Sequence, residues 1–465
     1  MTINKLLKYA AAAAGTTGLV KWPALAARKR RLKAFLNSGR RYIFPPSPKP
    51  RLSFIIPVFN GAHHTLECLL SILRVADASY EVIIVDDACT DDTSALLERF
   101  ENVKLHRNRQ NLGFIRSVNA GAKLAKGQYL VLINNDARLV QGSLNKALDR
   151  IEAEENCGLM GARVRHISGG LQEAGCMIYQ NGTTNGYLRY QPEDDLRGLF
   201  QRDVDHCSGV FAITSRQHFE TLGGLDEVFA PAYFEETDFC MRLREKGLRC
   251  IYNPRFLVDH FEFGSSANAK VARKMIEDRR GLFLKRWAKT LRRQNFLPQE
   301  NKLTIEIAAL RLLPHPRCLM IVDAKVAEAE IRPTIGHMTF YVLHGTRMLM
   351  KRLVAKGDMN VALACGNQRQ LMRFMKQRLG VYDTVGSSAG IDANFVAELR
   401  KNFVGGHRRD HERHHSRRRR RHKAASSHNS RLQTTFASLR QADDLLSVEC
   451  LLARRYSRRF DHHQT

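Results

Sequence analysis

Residues 52–87 read LSFIIPVFNGAHHTLECLLSILRVADASYEVIIVDD, and this stretch decides the fold. Its two ends, LSFIIPV (52–58) and EVIIVDD (81–87), are short continuous apolar runs, as strands buried on both faces require. Between them Leu66, Leu69, Leu70 and Leu73 recur at helical spacing. The same alternation continues outward. Thr90 or Asp91 can cap a helix from Asp92 to Phe100, and VKLHR (103–107) reads as a third strand. The turn NRQNLG (108–113) follows, then a helix from Phe114 to Leu124. A fourth strand, QYLVLI (128–133), ends in Asn134-Asn135-Asp136. Repeated βα units predict an α/β domain whose mostly parallel sheet carries helices on both faces.

Two of these strands end in acids. Ligands of open α/β sheets sit beyond the carboxyl ends of the strands, so Asp86, Asp87 and Asp136 are expected in one crevice. One acid after a strand is ordinarily a turn residue; two in such units point to function. No G-x-G-x-x-G follows the first strand and no G-x-x-x-x-G-K-[ST] occurs, so the glycines that cradle phosphate are missing. A diphosphate bound here needs a carboxylate-held cation instead.

Further along, HCSGVFAI (206–213) is an apolar run after a turn, and GGLDEVF (223–229) is another turn. PAYFEETDFCMRLREKG (231–247) predicts a helix with Glu235, Glu236 and Asp238 at its start and Gly247 as its stop. Acids at an amino end and bases at a carboxyl end suit the helix dipole. Three carboxylates in four residues exceed what capping needs. Beyond the next strand lies Val258-Asp259-His260; a lone histidine there is ordinarily structural. A helix over Ala269 to Leu291 closes the domain, with Phe283 and Trp287 facing inward.

Taken in order, FIIPVFN, VIIVDDACTDDT, NRQNLGFIRSVNAGAKLAKGQYLVLINNDA, CSGVFAI, GGLDEVFAPAYFEETDFCMRLREKG and VDHFEFGSS resemble family 2 of the glycosyltransferases, nucleotide-sugar enzymes of GT-A fold. The resemblance runs from about Arg51 to Leu291. Within the family it is nearest to bacterial rhamnosyltransferase-like enzymes of surface-polysaccharide biosynthesis, which share the N-N-D form. It implies an inverting transfer of a sugar from a nucleoside-diphosphate donor to a glycan or lipid-linked acceptor. It also implies a divalent metal, manganese or magnesium, on Asp136 and His260. Glu236 matches the catalytic acid of the family's E-D-x-D segment, with Asp238 a rival for the base. Asp86, Asp87, Pro57 and Phe59 are expected at the nucleoside, and Asn135 at ribose or diphosphate. Two departures stand out: Asn134 replaces the first carboxylate of D-x-D, and Glu236 stands where Asp is usual. They leave a binding protein without turnover as the alternative.

The ends of the chain differ from its middle. The net charge is +28, of which residues 1–51 carry +12 and residues 401–465 carry +10, leaving +6 between. Charge that flanks the fold fits anionic lipid better than groove-reading nucleic-acid contacts. Lys5 and Lys8 precede a mild apolar stretch, and Ala24-Leu25-Ala26 mimics a signal-peptidase site, but Lys21 and Pro23 interrupt it. The expectation is a basic peripheral anchor from Lys5 to Lys33. Residues 1–50 then form an N-terminal segment whose FPPSPKP (44–50) is a stiff linker. No uncharged apolar run of 18 residues occurs, and the ten cysteines include no C-x-x-C pair. A reducing cytoplasm, on the inner face of the membrane, is the expected compartment.

The domain reading is therefore 1–50 as basic segment, 51–295 as the GT-A domain, 296–404 as a small α/β region and 405–465 as a tail. In the third, CLMIVDA (318–324), a helix-like HMTFYVLHGTRMLMKRLVAKG (337–357) and MNVALAC (359–365) suggest one βαβ unit. It faintly resembles the opening of a second transferase domain, and too little chain remains to complete one. HRRDHERHHSRRRRRHK (407–423) opens a low-complexity tail that cannot bury a core and is expected to be disordered. The abrupt shift in composition points to a truncated or frame-altered carboxyl end.

Overall fold

The computed structural model describes residues 21–294 except 155, 168 and 262–268. It also describes residues 317–403 except 326, 328–336, 347, 351–352, 354–360, 377–383 and 389–390. Residues 1–20, the tail 405–465 and Glu262 lie outside the described residues. The chain divides into two units, Met1–Glu300 and Asn301–Thr465.

The first unit is built on the apolar runs. Leu52–Val58 is buried at every position and pairs in parallel with Tyr80–Asp86 on one side and Tyr129–Ile133 on the other. Val103–Arg107 extends the parallel half as its edge. Beyond Tyr129–Ile133 the sheet reverses: Phe211–Ser215 runs antiparallel to it and to Cys157–His166. Arg249–His260 then pairs with Cys157–His166 in parallel. The sheet is thus parallel over its first half and mixed over its second. Helix Ala62–Val75 buries Leu66, Leu69 and Ile72, the stripe its spacing demands. Phe283 and Trp287 of Ala269–Gln294 are buried as well.

Four local expectations are corrected. The helix after Asp91 covers only Thr93–Leu97, because Phe100–Glu101 leaves it to pair with Tyr42–Ile43. Neither Thr90 nor Asp91 is the capping residue: Asp92 holds that position without a side-chain bond, while Asp91, one residue earlier, accepts the Thr93 amide at 3.1 Å. The run 44–50 begins not as a free linker but in the core: Phe44 is buried and its amide donates to the Glu101 carbonyl. Helix Lys21–Asn37 likewise buries Arg28, Leu32 and Phe35, at i, i+4 and i+7, against the domain. The expected anchor is in this part a packed helix, with Lys29, Arg30 and Lys33 exposed.

The second unit carries a four-stranded parallel sheet in the order Val361–Gly366, His337–Leu343, Arg317–Asp323, Thr384–Ser387. HMTFYVL is a strand rather than the start of a helix. Its Thr, Phe, Tyr and Val suit a pleated surface better than a helical turn, and Phe340–Leu343 are buried.

Candidate active site

The turn that reverses the chain after Ile133 brings two distant segments together. Asp136 and the strand end at His260 meet with Nε2 to Oδ1 at 3.1 Å. The Phe261 amide donates to the Asp136 carbonyl at 3.2 Å, which fixes the register of that meeting. Gln172 Oε1 lies 2.8 Å from His260 Nδ1. Held there, the ring turns its Nε2 to the carboxylate, and a proton on Nε2 makes the contact a hydrogen bond to Asp136. Burial alone raises the Asp136 pKa, but His260, then His64 and Arg28, pull it down to about 2. Two electron-rich atoms at this distance need a proton or a cation between them.

One carboxylate and one imidazole are a donor pair that suits a hard divalent cation. Among the described residues no three His, Cys, Asp or Glu gather into a complete metal cage. The remaining positions on such an ion fall to phosphate oxygens and water.

Glu236 lies within reach of Glu173, which ties it to the segment ahead of Phe211–Ser215. Asn134 donates through its amide to the Val210 carbonyl at 3.3 Å. Two residues earlier Ser208 Oγ donates to Glu173 Oε1 at 2.7 Å, and Glu173 is the carboxylate whose charge reaches Glu236. Burial first, and Glu173 with it, raise the Glu236 pKa to about 7. Glu235, wholly buried beside it, is raised well above the carboxylate range by burial and by Glu236. Glu235 therefore keeps its proton and hydrogen-bonds Glu236. The Glu236 Oε2 is closed to solvent and has no hydrogen-bond partner among the described residues. Tyr233 and Phe234, both in the left-handed region at φ 76° and 69°, turn the chain into this helix. Such strain costs about 1–3 kcal/mol per residue and persists only where packing imposes it. Phe234 is held by Phe283, ring to ring at 5.2 Å.

Asp238 has no oxygen to offer a substrate. Its Oδ1 accepts from Arg286 and Trp287 Nε1, each at 2.8 Å, and its Oδ2 from Arg242 at 2.7 Å. The side chain is completely buried, tying helix Glu235–Glu245 to Ala269–Gln294. Asp238→Ala leaves these donors unpaired and is expected to lower stability by about 3–5 kcal/mol, read as a fall in melting temperature. An unchanged melting temperature with lost turnover would instead make Asp238 a chemical group.

The nucleoside-side candidates divide. Asp87, expected at base or ribose, accepts from Asn108 Nδ2 and the Leu112 and Gly113 amides at 2.7–2.9 Å. The turn it holds abuts the segment before Glu235: a Cβ on Gly113, at φ +87°, would lie 2.4 Å from Pro231 Cβ. Asp87 thus braces the end of the second strand against the segment that leads into Glu235. Asp86 accepts from the Cys89 amide at 2.9 Å and faces Arg107 at 3.5 Å. Asn135 directs its amide to the Asn60 carbonyl and Thr65 Oγ1. Pro57 is buried opposite Val85, whereas Phe59 projects at 41% exposure from the loop beyond the first strand. Sequence reading missed Glu173, Gln172, His64 and Arg28. None carries a local signal that separates it from its neighbours, and each acquires its place only through the partner the fold supplies.

Residues 53–223 match the family model described as glycosyl transferase family 2. This domain belongs to glycosyltransferase family 2. Its sheet is α/β, flanked by helices. The family 2 domain is similar to an uncharacterized protein, y4gI, of Sinorhizobium fredii, 24% identical over 54% of this chain and 29% of that one. It is also similar to the O-antigen biosynthesis protein RfbC of Myxococcus xanthus, 27% identical over 48% of this chain and 18% of that one. The chain spans less than a third of the length of either relative. An uncharacterized glycosyltransferase of Haemophilus influenzae is 31% identical over 42% of this chain and 62% of its own. Among solved structures, the mannosyltransferase PcManGT from Pyrobaculum calidifontis in complex with GDP-Man and Mn2+ matches 64% of this chain and 80% of its own, at 18% identity and a TM-score of 0.37.

Proposed function

We propose that the family 2 domain is an inverting, metal-dependent transferase that moves a sugar from a nucleoside diphosphate to a hydroxyl of a surface-glycan or lipid-linked acceptor. The observation that carries this reading is the Asp136–His260 pair, a carboxylate and an imidazole nitrogen 3.1 Å apart. A divalent cation held there supplies electrostatic stabilisation of the departing diphosphate. The rest belongs to the chain's own groups. Glu236 Oε2 takes the proton from the acceptor hydroxyl as that oxygen bonds to the anomeric carbon and the sugar–phosphate bond breaks. Glu235 holds Glu236 in place, and Phe59 offers an exposed ring to the base. Asp238 and Asp87 act as braces. A single displacement of this kind inverts the anomeric centre and forms no covalent enzyme intermediate.

Binding without turnover is the competing reading, prompted by Asn134 at the first carboxylate position. The buried, unpartnered Glu236 Oε2 favours turnover, since a mere binding site has no use for a strained, proton-hungry carboxylate. Exposed Lys29, Arg30 and Lys33 support contact with anionic headgroups at a membrane surface. No helix among the described residues is long and apolar enough to cross one.

A thermal-shift screen of nucleotide sugars, with and without Mn2+, tests the reading. The expected outcome is a rise in melting temperature for one donor class that requires the metal. No shift with any donor would refute it.

A further inference from the structure

Helix Lys21–Asn37 lies ahead of the family-matched segment, yet one of its side chains reaches the candidate donor site. Arg28 is 8% exposed, and its Nη1 lies 2.6 Å from His64 Nδ1. An arginine only donates, so Nδ1 accepts and the proton of the neutral ring resides on Nε2. That Nε2 is buried and has no hydrogen-bond partner among the described residues. His64 packs on Phe261 with ring centroids 4.5 Å apart, beside His260, and feels the charges of both Asp136 and His260.

Two features here call for an anion. A buried N–H without an acceptor is costly, and it cannot serve a cation. The Arg28 charge also has no direct acidic partner: Glu67, Asp136 and Asp259 act on it from a distance, but no described carboxylate forms an ion pair with it. Its partners are neutral His64 and the Phe261 ring, 4.9 Å away. Nearby Glu67 pairs with Arg31, and Asp259 with Arg138 and Arg165. Asp136 is the remaining acid, and it faces His260.

We propose that Arg28 is a positioning residue for donor binding: it locks His64 as the Nε2–H tautomer, so that this buried N–H donates to a diphosphate oxygen of the nucleotide beside Asp136 and His260. The N-terminal helix then completes the donor site from outside the family segment. The inference rests on the donor-site reading above, and its test separates the two.

Full-length wild type, Arg28→Met, Arg28→Lys and Arg31→Ala are titrated calorimetrically with UDP, GDP and dTDP in the presence of Mn2+. Arg31→Ala removes the neighbouring ion pair to Glu67 and serves as the control for helix docking. The expected result is roughly tenfold weaker binding for Arg28→Met, partial recovery in Arg28→Lys and wild-type affinity in Arg31→Ala. In 15N spectra of the histidine rings, His64 is expected as the Nε2–H tautomer in the wild type and as a mixture in Arg28→Met. Wild-type affinity in Arg28→Met, or equal loss in Arg31→Ala, overturns the inference and leaves the donor site standing. Wild type that binds none of the three diphosphates overturns both. If Arg28→Met does not fold, Arg28→Lys decides, since a lysine lacks the planar fork and is expected to bind about threefold more weakly than wild type.

Discussion

Glu236→Gln is expected to lower the turnover number for sugar transfer by about 10²–10⁴-fold, the range supplied by a positioned general base. Donor affinity should stay within about twofold, because Gln keeps the size and the hydrogen bond to Glu235 but cannot accept the proton. The pH profile gives an independent reading. Burial and Glu173 raise the Glu236 pKa to about 7, and the active form is the ionised one. The rate should therefore fall about tenfold per pH unit below that value and level off above it. Lowering the pKa should move the same limb. Glu173→Gln removes a neighbouring negative charge, so its acid limb is expected at lower pH than in the wild type. An unmoved limb would show that Glu236 is not the group being titrated.

Asp136→Ala carries the second large effect. It removes the only carboxylate of the proposed cation pair, and Mn2+ affinity is expected to fall at least on the order of 100-fold, beyond the losses typical of outer-shell changes. Turnover should disappear with it, and excess Mn2+ should restore little. His260→Ala should weaken the metal less than Asp136→Ala, since it removes a neutral ligand and leaves the charge that attracts the ion. Equal Mn2+ affinity in wild type and Asp136→Ala would place the cation elsewhere.

Much of the fold was legible from the runs themselves. Leu52–Val58 and Tyr129–Ile133 are apolar on both faces, as strands in a sheet covered on both sides require, whether their neighbours run parallel or, as Phe211–Ser215 does, antiparallel. The helix at 62–75 announced itself through its leucine stripe. What failed to show was anything settled by a distant partner. HMTFYVL mixes strand-forming side chains with a helix-like continuation, and parallel neighbours on both sides decide for the strand. Phe44 lies in a proline-rich stretch that looks like linker, yet it fills a gap beside Tyr80 and Phe100.

The same division applies to the candidate site. Acids at strand ends mark the crevice, but not which of them face a ligand. Asp87 and Asp136 look alike in sequence. The first is enclosed by the amides of its own turn, whereas the second meets a histidine from a strand more than a hundred residues later. Glu236 and Asp238 are two residues apart on one helix. Trp287 and two arginines enclose Asp238, while Glu236 Oε2 is left without a partner. Nothing local to either residue encodes that difference.

Diffraction at the manganese edge, from crystals of the full chain grown with MnCl2 and a binding nucleoside diphosphate, tests the central claim most directly. The account predicts one strong anomalous peak bonded to Asp136 and His260 Nε2, with the diphosphate on the ion and the Glu236 carboxylate facing the open side of the terminal phosphate. A peak away from Asp136, or a diphosphate at the opposite end of the sheet from Glu236, would contradict it.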